Sequence, residues 1–541
     1  MPYLDEYSGK WTSAQARHLL RRTTFGPSVE MVSQSMNLGL NGTIEALFAP
    51  LATPAPPLKS IPDGTGNNQL NDPAATYGQT WVNGVVFPNI NPPMLRNRVL
   101  RSRSKSLYSW TVLQMHYSGL SIKEKMTLFW HNHFVVADAT IAHREYVYYS
   151  LLRNLAISNF KELTKQITID TSMLIYLSGG ENTNVAPNEN YSRELLELFT
   201  IGKGPLVASG DYTYYTEQDV VEMAKVLTGW RVLQVGDPNT LTAQFSANRH
   251  TPGQKRLSHR FNNAVIAENG AQEYKNLIDV IFQQPECSRF IMRKLYRWFV
   301  DYEIDTDIET NIIEPLAEIL RNNNYEIAPA LKVLLKSEHF FKSTHCMIKN
   351  PVDLMMSVTR GLGINPPQGN IEKEYDHAYH IYIMSADLEQ AIFYHPNVAG
   401  WKAYYQEPQF YKLWINNLLL PKRHQFCKLM VEGGTFSYND VNYQITNLVP
   451  VLDIVHKITD AVDPNVLINS LAEIMFNYPI TSAQVASLKE ILIPGLPDFE
   501  WSVEYSEYLS NPSNLSLEES VRNKLKNLFS VMVRMSEFQI M

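Results

Sequence analysis

A mainly α fold, built as one large multi-helix unit with long loops and at most a short hairpin, is what this sequence predicts. Three observations carry the prediction. Apolar residues recur at i, i+3 and i+4 spacing along most of the chain, alternating strand-like runs are scarce, and hydrophobic residues make up 45% of 541 positions, enough for a full core. Length alone suggests three or four domains at about 150 residues each.

The elements follow in order. Residues 13–22 read as a short helix stopped by Thr23, Thr24 and Gly26. Residues 51–80 hold Pro54, Pro56, Pro57, Pro62 and Pro73, which a helix interior rejects, so they form a loop. Helical patterns resume at 94–118, 123–136, 143–158 and 160–176, then at 188–200 and 216–228. The last of these has clear punctuation. Thr216 with Asp219 reads as a near capping box, and Gly229 stands where a left-handed C-cap belongs. The polar segment 231–268 has room for one short hairpin. Amphipathic stretches 272–283, 287–300, 307–322, 328–336 and 352–362 follow. Residues 1–438 form the main helical body. Residues 439–541 repeat the pattern with shorter helices, either as a C-terminal subdomain or as an integral part of the same unit.

Composition excludes some functions. Lys and Arg number 47 against 54 Asp and Glu, a formal charge of −7, which rules out nucleic-acid binding through bulk positive charge. Only 19% of residues are charged while 11% are aromatic, so the surface is rich in uncharged polar and Tyr groups. Cys287, Cys346 and Cys427 are odd in number and form no CxxC pair, which fits a reducing compartment better than a disulfide framework or a Cys zinc site. The first 22 residues lack the apolar region of a signal peptide, and no apolar run reaches the roughly eighteen residues of a membrane span. The chain as written therefore reads as cytoplasmic, with export in the company of a partner as the alternative.

The segment NENYSRELLELFTIG (188–202) carries the main chemical signal. On a helix Glu189, Asn190, Arg193, Glu194 and Glu197 fall within about 140° of one another, while Tyr191, Leu195, Leu198 and Phe199 take the opposite side. Exposed, this stripe is a solvated face with weak i,i+4 pairs; buried, its carboxylates need a cation or shifted pKa values, which is how acid and base roles separate. In WHNHF (130–134), His131 and His133 point about 200° apart, so one metal ion does not reach both. His133 shares its side with Met126, Phe129 and Trp130. The turn HTPGQK (250–255) presents His250 and Lys255 around a Pro-Gly pair and suits an anionic or hydroxyl-rich ligand. Glu374, His377 and His380 have ligand-like spacing, but no second helix completes a site, so no metal is assigned and the cofactor stays unknown. GxSxG, HExxH, Walker and paired GxGxxG motifs are all missing.

The chain closely resembles a large bacterial family catalogued as domain of unknown function number eighteen hundred. The resemblance rests on ARHLLRRTTFG (16–26), EKMTLFWHNHF (124–134), NENYSRELLELFTIG (188–202), YTEQDVVEMAKVLTGW (215–230) and the His250, Gly253, Lys255 turn. It continues through RKLYRWFV (293–300), IKNPVDL (348–354), HPNVAGW (395–401) and SEFQ (536–539). It spans nearly the whole chain without a linker break, which favours one unit over a string of modules. The resemblance implies a mostly helical fold without repeats. It also implies a neighbouring gene for a sulfatase-like protein exported by the twin-arginine route, in bacteria that often degrade polysaccharides. The family's turn usually has Asp where Thr251 stands and Gly near Ser258, so a role needing a carboxylate in that turn has no carrier here.

Two functional readings follow. In the first, the 188–202 stripe faces the WHNHF helix under the HTPGQK turn, and the cleft hydrolyses a sugar- or ester-type substrate. Its catalytic residues are His133, Glu189, Arg193, Glu194, Glu197 and His250, and its substrate-binding residues are Trp130, Asn190, Trp230 and Lys255. In the second, the protein is a non-catalytic partner or chaperone of the exported sulfatase-like protein, and the stripe is structural. Neither reading involves nucleic acid or a membrane span.

Overall fold

The structure is a computed structural model, and it describes residues 3–66, 68–137, 141–235, 240–342 and 346–541. Helix α1 (Ser13–Thr23) ends as Thr24 turns extended, and it packs on α2 (Val29–Leu47), whose N-terminus is capped by the Ser28 hydroxyl accepting from the Met31 amide. The proline-bearing loop then lies along α3 (Pro93–Tyr117). Ser106 donates to the Leu58 carbonyl, Trp110 Nε1 to the Ala55 carbonyl, and the buried Arg103 guanidinium holds Asp72 through bonds of 2.6 and 2.7 Å.

Helix α4 (Lys123–His133) sits deepest, and every residue from Glu124 to His133 is buried. Around it come α5 (Ala142–Asn154), α6 (Phe160–Thr168) and α7 (Thr171–Tyr176). The single helix predicted over 160–176 is two, because the Asp170 carboxylate accepts the Ser172 and Met173 amides and starts a new helix there. Helix α8 (Asn190–Glu194) continues into a π-helical turn, Leu195–Thr200.

Helix α9 (Glu217–Val226) begins with the predicted capping box: the Asp219 amide donates to Thr216 Oγ1, and the Thr216 amide donates to Asp219 Oδ2 at 2.7 Å. Gly229 follows with φ +96°, a conformation that suits glycine. Thr216→Ala is expected to lower stability by about 1 kcal/mol, read as a reduced denaturant midpoint without a change in fold by circular dichroism.

The fold is mainly α, as predicted. The described residues also hold four two-stranded antiparallel pairs: Leu206–Ala208 with Asp211–Tyr212, Trp230–Val235 with Thr240–Phe245, Lys255–Arg256 with Val265–Ile266, and Gly434–Tyr438 with Val441–Ile445. Two of them fall in the segment that the sequence left open for one hairpin. Helices α10 (Glu273–Ile281) and α11 (Pro285–Phe299) close the middle of the chain. One contiguous apolar core runs from Ala16 to Met541 and includes Leu467, Trp501 and Phe529 of the C-terminal segment. That segment is tied back by the backbone pairs Met347 with Met541 and Lys349 with Gln539. No described helix is long and apolar enough to cross a membrane.

Candidate functional site

Helix α4 presents His131 and His133 to opposite sides, as the helical angle requires. On one side the π turn ends at Thr200, so its last carbonyls lack amide partners further along the chain. His133 Nε2 donates to the Phe199 carbonyl at 3.0 Å, and Lys294 Nζ of α11 donates to the Leu198 carbonyl at 3.0 Å while lying 3.3 Å from His133 Nδ1. Burial, then the nearby ammonium, pushes the His133 pKa well below its ordinary value, so the ring is neutral and both nitrogens are engaged. Burial and Arg297 bring Lys294 down to about 7. Trp130 is fully buried, with Nε1 donating to the Ala156 carbonyl at 2.8 Å and its ring stacked on Phe160.

The polar stripe lies on the outward side of α8 and its π turn. Arg193 makes two hydrogen bonds to Glu217, of 3.0 and 2.8 Å, and ion pairs with Glu189 at 3.2 Å and Glu197 at 3.8 Å. Glu197 also meets Lys203 at 3.5 Å and accepts from the Tyr215 hydroxyl. The Arg193–Glu217 hydrogen bonds raise the arginine pKa and lower that of the glutamate. Glu194 is half-buried and makes no hydrogen bond or ion pair among the described residues. Burial, then repulsion from Glu197, raises its pKa against the pull of Arg193. Asn190 is exposed, and its Nδ2 reaches the Leu177 carbonyl at 3.5 Å.

The predicted cleft places this stripe against α4. The structure turns the other side inward: Tyr191, Leu195 and Phe199 are buried, and Phe199 packs on Phe134 with centroids 5.2 Å apart. The reason is desolvation, since burying three carboxylates costs far more than burying their apolar neighbours on the same helix.

The 250–255 turn builds a second, closed cluster. His250 Nε2 lies 2.9 Å from Glu273 Oε1, and Lys255 Nζ donates to Glu273 Oε2 at 2.7 Å and sits 3.3 Å from His250 Nε2. His250 Nδ1 is 2.9 Å from the Thr228 carbonyl. Glu273 is fully buried. Burial opposes its charge, yet the Lys255 ammonium, the Asn269 amide and His250 outweigh that and lower its pKa. Trp230 is half-buried against Phe245 and Tyr274. This cluster joins the C-terminal end of α9 through Thr228, while Arg193 joins the N-terminal end through Glu217. A ten-residue helix about 15 Å long separates the two. His250 and Lys255 therefore do not share one substrate with Glu194 and Glu197.

Sequence reasoning missed Glu217, Tyr215, Lys203, Glu273 and Lys294. Tyr215 and Glu217 flank the capping Thr216 and read only as cap neighbours. Glu273 looks like an ordinary first-turn acid, and nothing local distinguishes Lys294 from any other lysine on an amphipathic helix. Among the described residues no group of three or more His, Cys, Asp or Glu side chains is arranged to hold a metal ion. Glu374 instead accepts from the Tyr117 hydroxyl, while His380 meets the edge of Tyr443.

The other side of α4 gathers further motif residues. The Phe393 amide donates to His131 Nε2 at 3.0 Å, and the Trp401 amide to Asn132 Oδ1 at 2.9 Å. Gly400, at φ +95°, has no room for a side chain there, since a Cβ would fall 2.4 Å from Asn132 Oδ1. Lys125 pairs with Asp353. Segments 16–26, 188–202, 293–300, 348–354 and 395–401 of the family resemblance thus meet at this one helix.

Comparison with curated proteins and with solved structures finds no match in either. The family model described as "Protein of unknown function (DUF1800)" matches residues 18–540, nearly the full chain, and the protein belongs to that family.

Proposed function

We propose that this chain is a hydrolase-type enzyme acting on a sugar- or ester-type substrate through acid–base chemistry at the outward face of α8 and its π turn. The observation that carries the reading is the contrast between two carboxyls three residues apart. Glu194 has a raised pKa and no cation of its own bonded to it, whereas Glu197 is held by Arg193, Lys203 and Tyr215. Neighbouring carboxyls in such different settings, one half-buried and without a cation and the other paired, are suited to divide acid from base. Glu194 then serves as the proton donor and Glu197 as the second carboxyl, with Arg193 positioning Glu197 and Lys203 facing substrate oxygens. In this reading His133 and Lys294 hold the turn's carbonyls rather than the substrate.

The test is a panel of glycans and carboxylic esters with the purified chain and Glu194→Gln. The expected loss in kcat is about 10²- to 10⁴-fold, the usual contribution of a general acid, with an unchanged thermal midpoint. Because the acid must carry its proton, the wild-type rate should fall as pH rises through the raised Glu194 pKa. Full activity in the variant, or none in the wild type on any substrate, would sink the proposal.

One observation favours the second reading, a non-catalytic partner or chaperone of an exported sulfatase-like protein. Trp130, His133, His250 and Lys255 are engaged in internal contacts, while Leu496, Phe499 and Val503 expose 49, 60 and 52% of their surface in one stretch. A stable complex on co-purification, without activity on the panel, is its expected signature.

A further inference from the structure

The first three turns of α3 and the loop before them carry an unbalanced charge. Residues 73–123 contain no Asp or Glu, although the chain's 54 acids in 541 positions would place about five in a stretch of that length. The same stretch holds Arg96, Arg98, Arg101, Arg103, Lys105 and Lys123. Arg103 pairs with Asp72 and Lys105 with Asp376. Arg96 and Arg101 are exposed and make no ion pair among the described residues, and the exposed Arg98 places Nη2 3.4 Å from the Gln69 carbonyl.

Met94, Arg98 and Arg101, at i, i+4 and i+7, lie within about 60° of one another on the helix, on the side away from the buried Val99 and Arg103. This outward face is apolar as well as basic. Met94 is 71% exposed and Phe87 39%, and Ile90 and Leu95 are half-buried. Arg103 Nη1 donates to the Val85 and Val86 carbonyls at 2.8 and 3.3 Å, which fastens the loop beside these turns. Arg96 also stands against the helix dipole. It closes a first turn that carries no acid, where a cation opposes the partial positive charge of the helix end. Arg96 and Arg101 thus serve no ion pair within the fold, and an external anion is the partner that their charge suits.

We infer that this face docks the chain on an anionic lipid surface. The arginines meet headgroup phosphates, while Phe87, Ile90 and Met94 enter the boundary between headgroups and acyl chains, as basic amphipathic helices do when they lie on a membrane without crossing it. A nucleic-acid backbone or a free polyphosphate would engage the arginines and leave those apolar side chains in water. The net charge of −7 repels the rest of the molecule from an anionic surface, so the patch also sets which side of the chain faces it. The inference involves neither Glu194 nor Glu197, and it holds or fails separately from the acid–base proposal.

The experiment sediments the full chain with vesicles of phosphatidylcholine alone and of phosphatidylcholine with about one third phosphatidylglycerol, beside a titration with duplex DNA. Binding to the anionic vesicles is expected, far above that to the neutral ones and reduced by salt. Each arginine should contribute about fivefold, so Arg96→Gln/Arg98→Gln/Arg101→Gln should lower the partition coefficient about a hundredfold. Phe87→Ser/Met94→Ser should lower it about tenfold through lost apolar contact. All the substituted side chains are exposed, so thermal midpoints should not fall. Absence of binding to anionic vesicles at low salt, equal binding to neutral ones, or an unchanged partition coefficient in either variant would each overturn the assignment. DNA binding that is tighter than vesicle binding and intact in Phe87→Ser/Met94→Ser would overturn it in favour of nucleic acid.

Discussion

Replacing Glu273 with Ala is expected to lower stability by about 3–5 kcal/mol, the range for removing one partner of a buried ion pair. The carboxylate is fully buried and accepts from Lys255 Nζ at 2.7 Å, from the Asn269 amide at 2.9 Å and from the Gly270 amide at 3.1 Å, and it contacts His250 as well. Its removal strands the Lys255 ammonium, whose side chain is 1% exposed, with no water to take over. Glu273→Gln keeps the volume and one acceptor, so its loss should be smaller. The pH dependence has a definite sign. Glu273 has a lowered pKa in the folded chain. Its stabilisation is therefore complete above the unfolded value of about 4.3 and disappears as pH falls through the lower folded value. Denaturant midpoints between pH 7 and 3 should drop more steeply for the wild type than for Glu273→Gln. Equal slopes would show that the cluster is not held by charge.

Asp353→Ala is expected to cost a similar amount, about 3–5 kcal/mol, by leaving the Lys125 ammonium alone in the core. Side-chain exposure is 1% for Lys125 and 3% for Asp353. Burial works against both charges, raising the Asp353 pKa and lowering that of Lys125, and their attraction opposes both shifts. Asp353 additionally accepts from Asn350 Nδ2 at 2.6 Å, and Asn350 donates to the Tyr404 hydroxyl at 3.0 Å. The desolvation cost of the intact pair is large, so its net contribution should be small. The double variant Lys125→Met/Asp353→Leu should recover most of the loss and fall within about 1 kcal/mol of the wild type. A double-mutant cycle in urea reads this directly. If the double variant is as unstable as Asp353→Ala, lost shape and capping contacts outweigh the stranded charge.

The contrast with Thr216→Ala, at about 1 kcal/mol, marks what local sequence can and cannot reveal. The capping box at Thr216 and Asp219 was legible because its partners are three residues apart, and so was the stop at Gly229. The Asp170 N-cap was equally local, but the apolar pattern runs through it and hid the break between α6 and α7. The π turn was hidden for a related reason: periodicity near 3.6 residues describes α8 and the wider turn after it almost equally well over six positions.

The site divides in the same way. The stripe from Glu189 to Glu197 was legible as one face, and the structure keeps it as one face. Which way that face points was not. Burying Leu195, and packing Phe199 on Phe134, decided it, and the cost of desolvating three carboxylates is the reason. His250 and Lys255 were legible as a pair, but Glu273, the group that binds both, lies eighteen residues beyond Lys255 at the start of another helix.

By itself, then, the sequence determined the mainly helical class, the Thr216 capping box, the Gly229 stop, the proline-bearing loop and the family, all of which depend on spacing within a few residues or on motif text. Tertiary structure decided which polar side chains are spent inside the fold and which remain at a surface. Lys125 and Asp353 are 228 positions apart, and His133 and Lys294 are 161 apart. Helical periodicity relates residues three or four apart and holds no information on pairs so distant. Their pairing follows from packing around α4, where a buried polar group is stable only if another element brings it a partner.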